Sequence, residues 1–306
     1  MGRFVFQRLS QSVLAILLLI VLVFILARIT GNPVDLLLPA DATEQDRVYM
    51  IKQLGLDRPY HEQFFDFAVG MLHGDFGKSI RFGRPTTELF WSRLPNTLRL
   101  SGLAILLSIS VAIPLGVLAG ANRGTPLDTW SRVFAVVGIA APSFWVGLML
   151  MDIFAVRLEW LPAARMGGLN HYILPAFSLA FATLAAGMRL LRSSTVDLMD
   201  SEFIKLARIK GVSTPVVLWK HCLRNALIPY MTFVGMQMAI IFSGTIVIET
   251  VFAWPGVGRL AYEGIVFRDY PLVQTVAIMQ SIFIVFLNLI VDLMYGYVDP
   301  RIRLNS

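Results

Sequence analysis

Six stretches of this sequence contain no Asp, Glu, Lys or Arg, and each is about as long as a bilayer is thick. About 20 apolar residues in an α-helix cross a hydrocarbon core of roughly 30 Å. Because lipid offers no hydrogen-bond partners, a helix is the expected form of each stretch. The stretches are 9–27, 100–122, 133–151, 166–188, 225–248 and 270–291. The sequence therefore predicts an all-α polytopic membrane protein with six transmembrane helices.

Composition supports the same class. Of the 306 residues, 56% are hydrophobic and 15% are charged, whereas a soluble domain is about one quarter charged. The mean hydropathy is +0.68. The net charge of +6 is spread along the chain, which predicts cationic loops at a membrane surface rather than nucleic-acid binding. Cys222 is the only cysteine, which excludes an intrachain disulfide and a multi-cysteine metal site.

The first stretch is predicted to be a retained helix. Arg3 and Arg8 precede it, as basic residues precede a signal peptide. Its apolar run, however, is longer than a typical signal core, and the small residues Ala40 and Ala42 lie well beyond its end.

The distribution of basic residues predicts the topology. Short cytoplasmic loops are enriched in Lys and Arg. The loops at 157–165 and 259–268 hold two basic residues each, whereas the 189–224 segment is rich in them. Its basic residues are Arg189, Arg192, Lys205, Arg208, Lys210, Lys220 and Arg224. Six spans put both termini on one side, so both termini and this segment are expected in the cytoplasm.

The long segment 31–96 is then expected outside the membrane as an ordered, helical insertion. It contains nine acidic residues: Asp35, Asp41, Glu44, Asp46, Asp57, Glu62, Asp66, Asp75 and Glu88. One helix is predicted at 44–54, with Thr43 as its N-cap and Gly55 at its end. A second is predicted at 60–72. Its apolar face would consist of Phe64, Phe65, Phe67 and Val69.

Two local motifs invite catalytic or metal-binding interpretations. Gly77-Lys78-Ser79 resembles the end of a phosphate loop, but Leu72 stands where that motif needs glycine. We therefore predict a turn. His61-Glu62 begins like a zinc-protease motif, but no second histidine follows at the required spacing. We expect no catalytic residue, no metal site and no cofactor-binding residue in this chain.

Three acidic residues lie near the ends of predicted spans, namely Asp152, Glu249 and Asp292. Ionisable groups at membrane depth often mark a transport path. None of the three falls at the bilayer midplane, so hydrogen bonding or packing at a helix end is the favoured interpretation over a proton relay or ion site.

The cytoplasmic segment 200–212 has the features of a short capped helix. Glu202 opens it, where an acid favours the helix dipole. Phe203 and Ala207 lie four residues apart on one face, and Gly211 stands where a left-handed residue ends a helix. Such a helix outside the membrane is suited to docking on a soluble partner. An interfacial helix lying on lipid is the alternative.

Several motifs, in this order and spacing, resemble the permease subunits of bacterial ABC importers of the peptide/nickel class. The first are Gly31-Asn32-Pro33, Leu54-Gly55-Leu56-Asp57-Arg58-Pro59, Gly74-Asp75-Phe76-Gly77, Leu94-Pro95-Asn96-Thr97-Leu98 and Pro142-Ser143-Phe144-Trp145. Later ones are Glu249-Thr250-Val251-Phe252, Trp254-Pro255-Gly256-Val257-Gly258, Arg268-Asp269-Tyr270-Pro271 and Asp299-Pro300-Arg301-Ile302-Arg303. The long segment after the first span resembles the first of the two paired dipeptide or oligopeptide permeases.

The resemblance implies a type I ABC importer fold and a coupling helix at 200–212. In the family this helix fits a cleft on a cytoplasmic ATP-binding subunit, and ATP-driven closure of the two ATP-binding subunits moves the spans between inward-open and outward-open states. The residues implied in ATPase coupling are Glu202, Phe203, Ala207 and Gly211. The general importer motif is only partly kept. Lys205-Leu206-Ala207 replaces Glu-Ala-Ala, and His221-Cys222-Leu223-Arg224 replaces Ile-x-Leu-Pro.

The resemblance also implies partners: a second homologous permease, two ATP-binding subunits and an extracytoplasmic solute-binding protein, all at the bacterial inner membrane. ATP and magnesium would be bound by the partners, so the chain is expected to be non-catalytic. The predicted organisation is an N-terminal tail and first span (1–30), an extracytoplasmic segment (31–97) and a permease core (98–306) with the coupling loop at 191–226.

The expected cargo is a dipeptide or oligopeptide. Three alternatives stay open. They are a permease of the same class for nickel complexes or glutathione, a secondary transporter driven by an ion gradient, and an intramembrane enzyme.

Overall fold

The computed structural model describes residues 2–29, 34, 38, 43–53 and 55–298. The motifs at 31–33 and 299–303 and the side chain of Asp292 lie outside the described part. The helices are α1 (Gly2–Ile29), α2 (Glu44–Gln53), α3 (Tyr60–Leu72), α4 (Thr86–Ala121), α5 (Pro126–Ala140), α6 (Ser143–Leu150), α7 (Asn170–Met199), α8 (Glu202–Ile209), α9 (Thr214–Val251), α10 (Val257–Val266) and α11 (Tyr270–Val298). A π-helical turn, Met151–Arg157, continues α6, and another, Val217–Cys222, lies within α9.

Five of the six predicted spans are single long apolar helices, namely α1, α4, α7, α9 and α11. The third is not. The prediction of one helix at 133–151 is wrong, because α5 and α6 meet at an angle of 107°. Pro142 causes the break, since proline excludes the preceding residue from the helical region. Ala141 is accordingly extended, with φ −78° and ψ 125°. The two halves count as one broken span or as a re-entrant pair.

The two helices predicted in the 31–96 segment are present. Thr43 and Asp46 form a reciprocal cap at the start of α2, since each side chain accepts the other's backbone N–H. The Thr43 hydroxyl also donates to Asp46 and lowers the pKa of that carboxyl. Gly55 follows with φ +64°. The end predicted at Leu54 lies outside the described residues.

The predicted apolar face of α3 is only partly confirmed. Helix α3 has the predicted bounds. Phe64 and Phe67 pack against Phe24 of α1, with ring centroids 5.3 and 5.9 Å apart. Phe65, by contrast, is 68% exposed, because it projects away from α1.

The chain forms two compact units, one of residues 1–95 with 256–306 and one of residues 96–255. The predicted division at residues 30 and 97 follows the order of segments across a membrane, and it stays a prediction.

In the first unit, the buried side chain of Asp269 links the loop before α4 to the start of α11 through hydrogen bonds. Its carboxylate accepts the Ser79 hydroxyl, the Arg81 N–H at 3.1 Å and the Leu272 N–H at 3.3 Å. Gly77-Lys78-Ser79 therefore lies in a loop, as predicted, with the Ser79 hydroxyl bound to a carboxylate.

In the second unit, glycines allow helices to approach closely, as small residues do in membrane bundles. A Cβ added at Gly116 of α4 would lie 2.7 Å from Cβ of Leu191 and 2.8 Å from the carbonyl oxygen of Met188, both in α7. A Cβ at Gly138 of α5 would lie 2.4 Å from Cβ of Ala185. Helices α4 and α5 thus both touch α7 at contacts that even alanine would disturb.

We expect Gly116→Ala to destabilise the chain, because the added methyl meets backbone and a Cβ that cannot move alone. Overpacking of this kind costs about 1–3 kcal/mol, against a helix-propensity gain of roughly 1 kcal/mol. Thermal unfolding of the purified protein in one detergent measures the difference. Gly102→Ala, in the same helix, is the matched control, since a Cβ there has no described atom within 4 Å. Equal midpoints for the two variants would contradict the close approach.

Candidate functional site

The segment between α7 and α9 contains the predicted docking helix, and its local geometry is confirmed. Ser201 precedes α8 in an extended conformation. Gly211 follows with φ +78°. The Gly211 N–H donates to Arg208 O at 3.0 Å, and the Val212 N–H donates to Ala207 O at 3.1 Å. These two bonds are a Schellman motif, which requires a left-handed residue at the position of Gly211.

One side of α8 faces the protein and the other faces outward. Ile204 is fully buried and Ala207 is half-buried. Phe203, Leu206 and Ile209 are 43%, 56% and 81% exposed. Phe203, Leu206 and Ile209 form the apolar edge of α8. The other exposed side chains of this helix are charged. An exposed apolar cluster on a short helix is typical of an interaction surface.

The four predicted coupling residues are distributed over the accessible side and end of α8. Glu202 and Phe203 are exposed, Ala207 lies at the border of the buried face, and Gly211 is exposed at the C-terminal end. Glu202 forms an exposed ion pair with Lys205 at 2.8 Å. Leu206 and Ile209 were missed by sequence reasoning. Leu206 lies three residues after Phe203 and Ile209 three residues after Leu206, and this regular spacing was the available signal.

A small apolar cluster surrounds the π-helical turn of α9, which α8 contacts. Leu218 and Cys222 of the π-helical turn in α9 are buried against Val117 of α4, with Leu198 and Met199 of α7 at the margin. The Cys222 thiol approaches Thr195 O at 3.9 Å. The ends of α4, α7 and the start of α9 therefore converge beside α8.

A buried ion pair joins α5 to α7 about three helical turns before α8. The Asp128 side chain is 2% exposed and accepts from Nε of Arg192, whose side chain is 20% exposed. Asp128 also accepts the Gly124 N–H at 3.0 Å. Its own N–H donates to Thr125, the N-cap of α5. Sequence reasoning missed this pair, because the two residues lie far apart in the chain.

Two motif segments meet in the second unit. The Trp254 indole N–H donates to Asn96 O at 3.1 Å, and the Asn96 side chain donates to Pro255 O at 2.9 Å. The Thr97 hydroxyl donates to the fully buried carboxylate of Glu249 at 2.6 Å. Glu249 is thus hydrogen-bonded near the end of α9, as predicted.

Asp152 and Asp292 are the other two acidic residues near the ends of spans. Asp152 is paired with Arg157 at 2.8 Å near the surface, which agrees with a role at a helix end. The side chain of Asp292 lies outside the described residues. Within the described ranges, no three His, Cys, Asp or Glu side chains are grouped as metal ligands would be.

Long apolar helices that pack closely through glycines define a polytopic helical membrane protein, and α8 adds an exposed apolar edge to it. The chain belongs to the family described as binding-protein-dependent transport system inner membrane component, which matches residues 112–304. The N-terminal membrane component of such systems matches residues 1–101. The chain is therefore a multi-pass inner-membrane permease subunit of an ABC importer. Such subunits work with ATP-hydrolysing and substrate-binding partners and are generally non-catalytic.

Curated relatives match the chain end to end. The glutathione transport system permease protein GsiC of Salmonella typhimurium is 38% identical, covering 99% of each chain. The oligopeptide transport system permease protein AppB of Bacillus subtilis is 35% identical, covering 99% of this chain and 100% of its own.

Solved structures share the fold. A MetNI methionine ABC transporter in inward-facing conformations superposes with a TM-score of 0.53 at 13% identity, covering 69% of this chain and 96% of that one. An amino acid ABC transporter with histidines gives 0.53 at 16% identity, covering 69% and 94%.

We expect Asp128→Asn to destabilise the subunit, because it leaves the mostly buried Arg192 cation without its counter-charge. Neutralising one partner of a buried pair costs about 3–5 kcal/mol, whereas an exposed pair contributes about 0–1 kcal/mol. Asp152→Asn, which breaks the exposed pair with Arg157, is the matched control. Thermal unfolding in detergent should rank Asp128→Asn clearly below Asp152→Asn, and the reverse order would refute a structural role for the buried pair.

Proposed function

We propose that this chain forms half of the translocation pathway of an ATP-driven importer for dipeptides or oligopeptides, and that α8 receives the motion of the ATP-binding subunits. The observation that carries the proposal is the apolar edge of α8 on a helix ended by the left-handed Gly211. A soluble partner that covers Phe203, Leu206 and Ile209 removes apolar surface from water, which favours binding. Its movement then pulls on α7 and α9, which flank α8 in the chain.

The proposed complex contains a second homologous permease, two cytoplasmic ATP-binding subunits and an extracytoplasmic solute-binding protein, embedded in membrane lipid. ATP and magnesium bind to the partners, and this chain holds no cofactor. Both termini and α8 face the cytoplasm, which requires the bent pair α5–α6 to count as one crossing. The basic residues around α8 support that orientation.

The names of two relatives support a peptide cargo. One is a glutathione permease and the other an oligopeptide permease, and both substrates are built from amino acids joined by amide bonds. Nickel complexes remain an alternative cargo for the same class of subunit.

We expect Gly211→Val to uncouple the complex, because a β-branched residue cannot hold the left-handed conformation that ends α8. The strain is roughly 1–2 kcal/mol. Substrate-stimulated ATPase activity of the reconstituted complex measures coupling. Gly74→Val is the matched control, since Gly74 has φ +78° and equally open surroundings, among described atoms, in the turn after α3. Gly211→Val should lose most of the stimulation and Gly74→Val should keep it.

Leu206→Glu tests the docking surface without backbone strain, because it places a charge in the middle of the apolar edge. The ATP-binding subunits should co-purify with this variant in much smaller amount than with the wild type. If both Leu206→Glu and Gly211→Val assemble with full stimulated ATPase activity, α8 is not the coupling helix.

Uptake by proteoliposomes that contain the whole complex tests the cargo. Labelled dipeptide or oligopeptide should accumulate only with ATP and the solute-binding protein, and nickel chelates should not compete. Uptake by this chain alone along an ion gradient would instead favour a secondary transporter. Competition by nickel chelates and none by peptides would reassign the cargo within the same class.

A further inference from the structure

The first unit contains a cavity of about 510 Å³ beside the C-terminal half of α1. Val23 and Leu26 of α1 form one wall, and Ile265, Val273 and Ala277 from α10 and α11 form much of the other. Its size falls in the range of small-molecule sites, roughly 300–1,000 Å³. Its walls are mostly apolar.

Three polar side chains line the cavity, namely Arg268, Tyr270 and Gln274, and each carries a hydrogen-bond donor. Arg268 lines the cavity and is exposed. Its guanidinium forms no ion pair with any carboxylate in the described ranges. Gln274, one turn into α11, also lines the cavity. Its buried Nε2 has no hydrogen-bond partner among the described residues. A buried donor without a partner is costly, so a ligand acceptor at this point is favoured.

The position of the cavity along the helices restricts its occupant. The apolar window of α1 ends at Leu26, and that of α11 begins at Tyr270. Both ends belong to the same membrane interface, because Leu26 near the end of α1 and Val273 near the start of α11 line the same cavity. The cavity is therefore at the depth where hydrocarbon meets lipid headgroups, with its cation at the headgroup end.

We propose that this cavity binds one anionic glycerophospholipid. Its acyl chain lies against Val23, Leu26 and Ala277, its phosphate accepts hydrogen bonds from Arg268, and an ester carbonyl accepts from Nε2 of Gln274. Arginine suits this role because its planar group donates two parallel hydrogen bonds to a phosphate. A peptide is a poor fit, since most of its many amide groups would find no hydrogen-bond partner in a mostly apolar site.

The lipid site lies entirely within the first unit, whichever cargo the importer carries. In the proposed orientation, it opens to the outer leaflet of the membrane.

Lipid retention by the purified complex tests the site. The complex is delipidated, reconstituted in nanodiscs with equal phosphatidylglycerol and phosphatidylcholine, extracted, and examined by native mass spectrometry. The wild type should retain phosphatidylglycerol preferentially. Arg268→Ala should retain about fivefold less, the factor expected for one arginine near an anionic surface. Ala277→Phe should also lose the lipid, because the ring fills the cavity while the charge stays.

Arg123→Ala is the matched control, since Arg123 is an exposed arginine in the turn between α4 and α5, and it should retain lipid like the wild type. Two results would overturn the proposal. One is equal retention of phosphatidylcholine by the wild type, and the other is undiminished phosphatidylglycerol in Arg268→Ala. Because Arg268 is exposed, that variant leaves the fold intact and decides the outcome even if Ala277→Phe fails to assemble.

Discussion

A hydrocarbon interior offers no hydrogen-bond partner, and every break in a helix at membrane depth has to be compensated within the protein. The end of α9 shows how the chain does this. Ala253 turns with φ +49°, and the following Trp254 N–H donates back to Glu249 O at 2.7 Å. The free carbonyl of Phe252 then accepts the Arg165 N–H at 2.8 Å, from the loop before α7. A carbonyl group that the end of α9 leaves unpaired thus holds the loop before α7 in place.

The same constraint explains where charge is placed. Asp128 and Arg192 neutralise each other between α5 and α7, and Glu249 is buried where a hydroxyl from Thr97 can reach it. Such groups contribute little net stability, since desolvation offsets much of the attraction. They do restrict how the helices can be aligned, because any sliding of α5 along α7 would separate a buried charge from its partner. We infer that close glycine contacts and this pair together hold α4, α5 and α7 in one register beside α8.

Local signals in the sequence predicted local structure well. The charge-free stretches correctly predicted five single spans. Thr43 and Gly211 correctly predicted a helix start and a helix end. Which side of α8 faces the protein could not be predicted, because it depends on contacts with the π-helical turn Val217–Cys222 that only the fold creates. The pairing of Asp128 with Arg192 was hidden for the same reason. The right-angled turn at Pro142 was not predicted, since the amount of bending at a proline depends on the neighbouring helices.

That turn has a consequence for how the chain enters the membrane. Helix α5 has 15 residues, which at 1.5 Å per residue is about 22 Å, shorter than the roughly 30 Å of hydrocarbon. The second half, α6 with its π-helical turn, is equally short, since it combines 8 and 7 residues. Neither half is long enough to cross the hydrocarbon by itself. The region from Pro126 to Arg157 therefore depends on packing against α7, where Gly138 lies against Ala185. Its final placement should follow the synthesis of α7 rather than precede it. For this part of the protein, biogenesis would proceed against the order of the chain.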